Sequence, residues 1–257
     1  MRKHLVWALG LALALGVSAV AYGSGNTLNT QDMAVTVTPS KQSKTKFGAA
    51  KLRSVTTTGS TGTGAFAITP VTSATIFYDK GIKFDTKGLK QCKANLDGTT
   101  TQVALQKCGN AKVGVGQAKV KIGGNPALPD TVAKITAFNA KPKGDKPVIL
   151  LHTRVDAIAS TTVLVGTLSK VSGKYGWKLN VVVPPLPAGT ATTVFDVTVQ
   201  HKAVKVGKVK HTYVTARCPA GKWNYKGSFV YKSDPLDPTP RAGSLTVTDQ
   251  QGCQKKA

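Results

Sequence analysis

The chain has no glutamate, and all 11 of its acidic residues are Asp, set against 35 Lys and Arg. Mechanisms that pair two carboxylates, or that place a Glu beside a metal, would therefore have to run on Asp alone. Losing Glu also removes a good helix former, and in a chain rich in Thr and Val it tips local preference toward strands. Aromatics are sparse, at 6%. There is no G-x-S-x-G, no C-x-x-C and no glycine order that cradles phosphate, so the common signatures of a nucleophile elbow, a zinc or thioredoxin site and a P-loop are excluded. Beyond residue 21 no apolar run approaches the roughly 20 residues of a spanning helix.

The first 21 residues are different. Arg2, Lys3 and His4 precede an apolar run from Leu5 to Val17, and Ala19-Val20-Ala21 offers the small residues a signal peptidase reads. That pattern predicts a signal peptide over 1–21, cleavage before Tyr22 and an exported, soluble product with no spanning segment. Residues 22–30 (YGSGNTLNT) read as a flexible leader and 31–257 as one domain, with a subdivision at the Pro- and Lys-rich stretch 140–147 as the alternative.

Export bears on the four cysteines, Cys92, Cys108, Cys218 and Cys253. An even number of cysteines outside the cytoplasm reads as a disulfide framework. Three connectivities are possible, and the expected one is sequential, Cys92–Cys108 and Cys218–Cys253, each bracketing a turn-rich segment. Metal ligation is disfavoured because His152, His201 and His211 lie far from the cysteines in sequence.

Apolar residues alternate with polar ones in Met33-Val35-Val37, Ala118-Val120-Ile122, Trp177-Leu179-Val181-Val183, Phe195-Val197-Val199 and Leu245-Val247. Period two between Gly, Pro, Asn and Asp clusters is the mark of half-buried strands. The continuous run VILLHTRVDA, Val148 to Ala157, predicts a central strand covered on both faces. TTVLVGTLSK and KYGWKLNVVV predict a hairpin turning at Ser172-Gly173. One short helix is expected, capped by Asp97 or Thr99 and ending at Cys108-Gly109, where a disulfide pins it. The fold class that follows is all-β and sandwich-like, with about ten to twelve mostly antiparallel strands.

Taken in order, the segments GIKFDTKGLKQCKANL, CGNAKVGVGQA, VILLHTRV, KYGWKLNVVVPPLPAG and HTYVTARCP resemble a group of exported, cysteine-bearing proteins of high-GC actinobacteria. The resemblance covers roughly residues 31–220. It implies export and a common fold, and it carries no catalytic residue across.

Removing Arg2 and Lys3 leaves 33 basic residues against 11 acids, a net charge of +22. Such a charge concentrates polyanions around the protein without specifying its fold. HKAVKVGKVKH, His201 to His211, reads as a hairpin turning at Gly207, with Lys202, Lys205, Lys208 and Lys210 as point charges for a phosphate-bearing or carboxylate-bearing polymer. As structure alone, the same lysines protect a sheet edge. KWNYKGSFVYK, Lys222 to Lys232, interleaves aromatics with Lys, a pattern that fits base or carbohydrate stacking, but core packing is the plainer account, and no specific nucleic-acid partner is expected.

His152, Arg154 and Asp156 fall on one alternating face, which makes His152 a candidate general base oriented by Asp156, although a cross-strand ion pair is the plainer account. Asp79, Asp85, Asp234 and Asp237 lie on loops but lack calcium-loop spacing, and no metal or cofactor is expected. The reading is a non-enzymatic, exported envelope or extracellular protein that associates electrostatically with an anionic wall polymer or surface. The alternatives are a secreted hydrolase of wall polymers using His152 and Asp156, or a purely structural surface protein.

Overall fold

Strict alternation sets the architecture, and β2 shows it most plainly, with every second side chain from Asn29 to Val37 buried and the ones between exposed. The computed structural model describes residues 19–122, 124–186, 188–200 and 203–256. The expected signal peptide lies largely outside this range. In chain order the elements are β1 (Ala19–Gly25), β2 (Asn29–Thr38), β3 (Lys41–Ser43), β4 (Gly48–Ala49), β5 (Lys51–Ser60), β6 (Val71–Asp79), β7 (Ile82–Phe84), α1 (Thr101–Cys108), β8 (Lys112–Ile122), β9 (Thr131–Lys143), β10 (Lys146–Val155), β11 (Ser160–Lys170), β12 (Tyr175–Val182), β13 (Thr190–Val199), β14 (Val204–Val206), β15 (Val209–His211), β16 (Val214–Ala216), β17 (Lys222–Lys232), β18 (Ala242–Gly252) and β19 (Gln254–Lys256).

Twelve of these strands form one antiparallel sheet in the order β1-β18-β17-β6-β12-β11-β10-β9-β8-β13-β5-β2. The all-β expectation holds, and the two layers it implies are opposite walls of this single curled sheet. The curl brings β2 against β18. No ladder joins them; Val35 N donates to Asp249 Oδ2 at 2.7 Å, Val37 N donates to Gln251 Oε1 at 2.6 Å, and Gln251 Nε2 donates to Val37 O at 3.1 Å. Side chains thus satisfy backbone groups that a free edge would leave open.

The segment 22–30, expected as a leader, is instead paired. β1 runs beside β18 with Gly23 opposite Leu245, and Asn29 is buried where its side chain bonds both backbone groups of Thr69. The alternation of β2 simply begins earlier than Met33. The stretch 140–147 is not a break either, since Lys143 pairs with Lys146 and Ala140 with Val148 across the β9–β10 hairpin.

One end of the curled sheet is closed. The small sheet β4-β16-β7 and the pair β19-β3 lie across it, and the Cys218–Cys253 disulfide ties them together. Phe84 makes edge contacts with Tyr78 at 5.2 Å, Trp177 at 5.8 Å and Tyr213 at 6.1 Å. Trp223, Tyr225, Phe229 and Tyr231 also turn inward and are buried, so the basic-aromatic strand is core on one face and lysine on the other. Among the described residues no helix is long and apolar enough to cross a membrane.

The Cys92–Cys108 disulfide forms as expected and pins α1 to the outer face of β9 and β10. Cys92 N donates to Asn139 O at 2.8 Å, and Cys92, Leu96, Ala104, Cys108 and Ala111 pack on Phe138. This is why β10, in the middle of the sheet, is covered on both faces. The cap of α1 is Thr100, whose hydroxyl accepts from Val103 N, rather than Asp97 or Thr99.

Candidate functional site

The helical excursion decides the fate of His152. Thr99 lies over it, His152 Nε2 donates to Thr99 O at 3.0 Å, and the side chain has no solvent exposure. Burial pushes its pKa down, opposed in part by the bond to Thr99. Asp156 lies elsewhere, exposed in the turn after β10, where it pairs with Lys134 Nζ at 2.9 Å and Arg154 Nε at 3.3 Å. The hydrogen bond from Lys134 leads the effects that hold its carboxyl below the usual range. His152 on β10 and Asp156 in the turn beyond it do not meet, so the acid–base pair is not assembled.

The loop aspartates are occupied by backbone. Asp79 accepts from Gly81 N and Asn224 N, Asp234 from Gly189 N and Leu236 N, and Asp237 from Thr239 N and Arg241 Nη1. These are turn and capping roles. No group of three metal-ligating residues occurs among the described residues.

The lysine hairpin exists. β14 and β15 pair around Gly207, whose φ of 61° lies in the left-handed region that glycine adopts freely. Lys205 stands directly opposite Lys210, and Lys205, Lys208 and Lys210 are all exposed; Lys202 lies outside the described residues. Among the described residues no carboxylate pairs with these three lysines. Like charges set opposite each other repel, so the hairpin needs an outside anchor. It has two: His211 Nδ1 lies 2.6 Å from Asp85 Oδ2, and Val206 packs on Gly88, where an added Cβ would come within 2.4 Å of it.

Asp85 also lines a surface groove of about 540 Å³ at the closed end, together with Lys83, Lys87, Lys170, Asp145 and Trp177. Trp177 is half-buried and the three lysines are exposed. The Asp85–His211 pair therefore joins the hairpin's row of positive charge to a groove that has lysines on its walls and an indole in its lining. Lys83 has a second contact, lying 4.0 Å above the ring of Phe47. The groove was invisible in the sequence because its residues come from four separate stretches; only the crowding of lysines in YDKGIKFDTKG hinted at it.

The chain matches no protein-family model, and no curated protein or solved structure shows significant similarity to it. The site is read from its own geometry.

A second space lies inside the barrel. It measures about 160 Å³ and is lined by 32 residues contributed chiefly by β5, β6, β8, β10, β11, β12 and β13.

Proposed function

We propose that the protein is an exported, non-enzymatic binding protein that holds an anionic envelope polymer at the closed end of its barrel. The observation that carries this reading is the placement of Lys205, Lys208 and Lys210, unpaired by any described carboxylate, beside a groove in which Lys83, Lys87 and Lys170 outnumber Asp85 and Asp145. Each exposed Lys–phosphate or Lys–carboxylate contact contributes only about 0–1 kcal/mol, so affinity comes from their number and falls as salt rises. Trp177 adds a ring face on which a sugar unit of the polymer can stack. Export agrees with the basic and apolar start of the chain and with two formed disulfides.

Binding of the purified, oxidised protein to cell-wall sacculi, with and without their anionic polymer and across a salt series, tests the reading. Salt-sensitive binding that requires the polymer is the expected result. Binding indifferent to salt, or equal after the polymer is removed, overturns it and leaves the charge as a solubility device of a structural protein. The hydrolase alternative has no observation in its favour, because His152 and Asp156 stand apart.

A further inference from the structure

We propose that the interior of the barrel is a binding site for an uncharged single-chain lipid, one unbranched hydrocarbon tail bearing no oxygen group other than hydroxyl or carbonyl. Side chains roughly fill an eight-stranded barrel, and wider barrels leave room inside. Eleven of this sheet's twelve strands, from β18 round to β2, make the wall that closes at the β2–β18 seam. Its inward positions on β8 and β9 include Gly114, Gly116, Ala118, Ala133 and Ala137, which keep that wall thin.

The shape of the space selects a slender occupant. On β10 the lining runs from Ile149 to Val155, a span of roughly 20 Å at ~3.3 Å per residue. A volume of about 160 Å³ within that lining holds about six carbon atoms, enough for a short chain and too little for a fused-ring skeleton. For comparison, a compact apolar cavity of ~150 Å³ is known to hold a single benzene.

The lining also has a direction. Leu52, Ile76, Ile149, Leu151, Leu164 and Leu168 are buried toward the closed end. At the other end Ser160, Thr162 and Thr192 are half-buried and Ile158 is 49% exposed, which marks the mouth. No Lys, Arg, His or Asp lines the space, so an ionised head drawn inside would be desolvated with no counter-charge. Hydroxyl side chains at the mouth suit a hydroxyl or carbonyl group instead.

The test is equilibrium dialysis of the delipidated, oxidised protein against radiolabelled 1-hexanol, with hexanoate and cholesterol as comparators. Saturable binding of one 1-hexanol per chain is expected, with both comparators at least tenfold weaker. Thr162→Trp, which narrows the mouth, should weaken binding at least tenfold, while Val165→Trp, on the outer face of the same strand, should leave it unchanged. Circular dichroism and an intact disulfide count establish that each variant is folded, and Ser160→Trp takes the place of Thr162→Trp if that variant does not fold. No saturable binding of 1-hexanol overturns the proposal. So does equal binding by the folded mouth variant, or comparators that bind as tightly as the alcohol. The polymer site is at the opposite end, so loss of either binding activity leaves the other measurable.

Discussion

Asp85 and His211 meet at 2.6 Å across 126 residues of sequence, and this contact fastens the lysine hairpin to the body of the barrel. His211 closes β15, while Asp85 follows β7 directly and also caps its own turn by accepting from Lys87 N. Since Lys205 and Lys210 repel each other across the hairpin, the anchor maintains a charge arrangement that would not persist alone.

Asp85→Ala should therefore loosen the hairpin more than it destabilises the protein. The expected loss of global stability is at most about 1 kcal/mol, typical of a pair with substantial solvent contact. Amide exchange at Val204–His211 should rise, and binding to anionic polymer should weaken several-fold. Unchanged exchange in that hairpin would show that the packing of Val206 on Gly88 suffices to hold it.

Replacing Lys205, Lys208 and Lys210 together by Ala separates binding from stability. Removing one directly opposed like-charge pair should stabilise the hairpin by about 0.2–1 kcal/mol. Polymer affinity should fall, and its dependence on salt should become shallower, because fewer cations contact the polymer. A thermal melt and a salt titration on the same preparation read both effects.

His152 makes a pH prediction. Its pKa in the folded protein is lowered from 6.5, chiefly by burial, so the folded state favours the neutral ring and the unfolded chain takes the proton more readily. Stability from this group is present above about 6.5 and is lost as pH falls below it. His152→Gln should flatten the drop in urea midpoint between pH 7 and pH 5.5. A variant with the same acid sensitivity as the parent would assign that sensitivity to other groups. The substitution should leave polymer binding at pH 7 intact.

Strand alternation, the disulfide-pinned helix and both cysteine pairings were legible because each depends on local spacing or on parity. Period two placed His152 and Arg154 on one face of β10, but Asp156 falls in the turn after that strand, where the alternation ends. It could not reveal that residues 88–111 would fold over that face at His152 and stop short of Asp156. The hairpin's lysines were legible as a run, but the groove beside them needs Lys83, Asp145, Lys170 and Trp177 to converge from distant strands. The cavity was hidden for a broader reason: the width of an interior depends on how many strands share one sheet, and that number is not written in any single strand.

The seam between β2 and β18 gives the last test. Asp249 and Gln251 point from β18 toward β2 and accept from Val35 N and Val37 N, while Gln251 Nε2 donates to Val37 O in return. These side chains do the work that a ladder does elsewhere around the barrel. Asp249→Ala strands the Val35 amide in a partly buried position, at an expected cost of about 1–3 kcal/mol. Gln251→Ala strands both backbone groups of Val37 and should cost at least as much. The two sites are close and lie on one seam, so the double variant should depart from the sum of the single losses. Denaturant unfolding of the four proteins in the cycle, with amide exchange read at Val35 and Val37, measures this directly. Additive losses with no gain in exchange would mean that the barrel walls hold β2 in place without the seam.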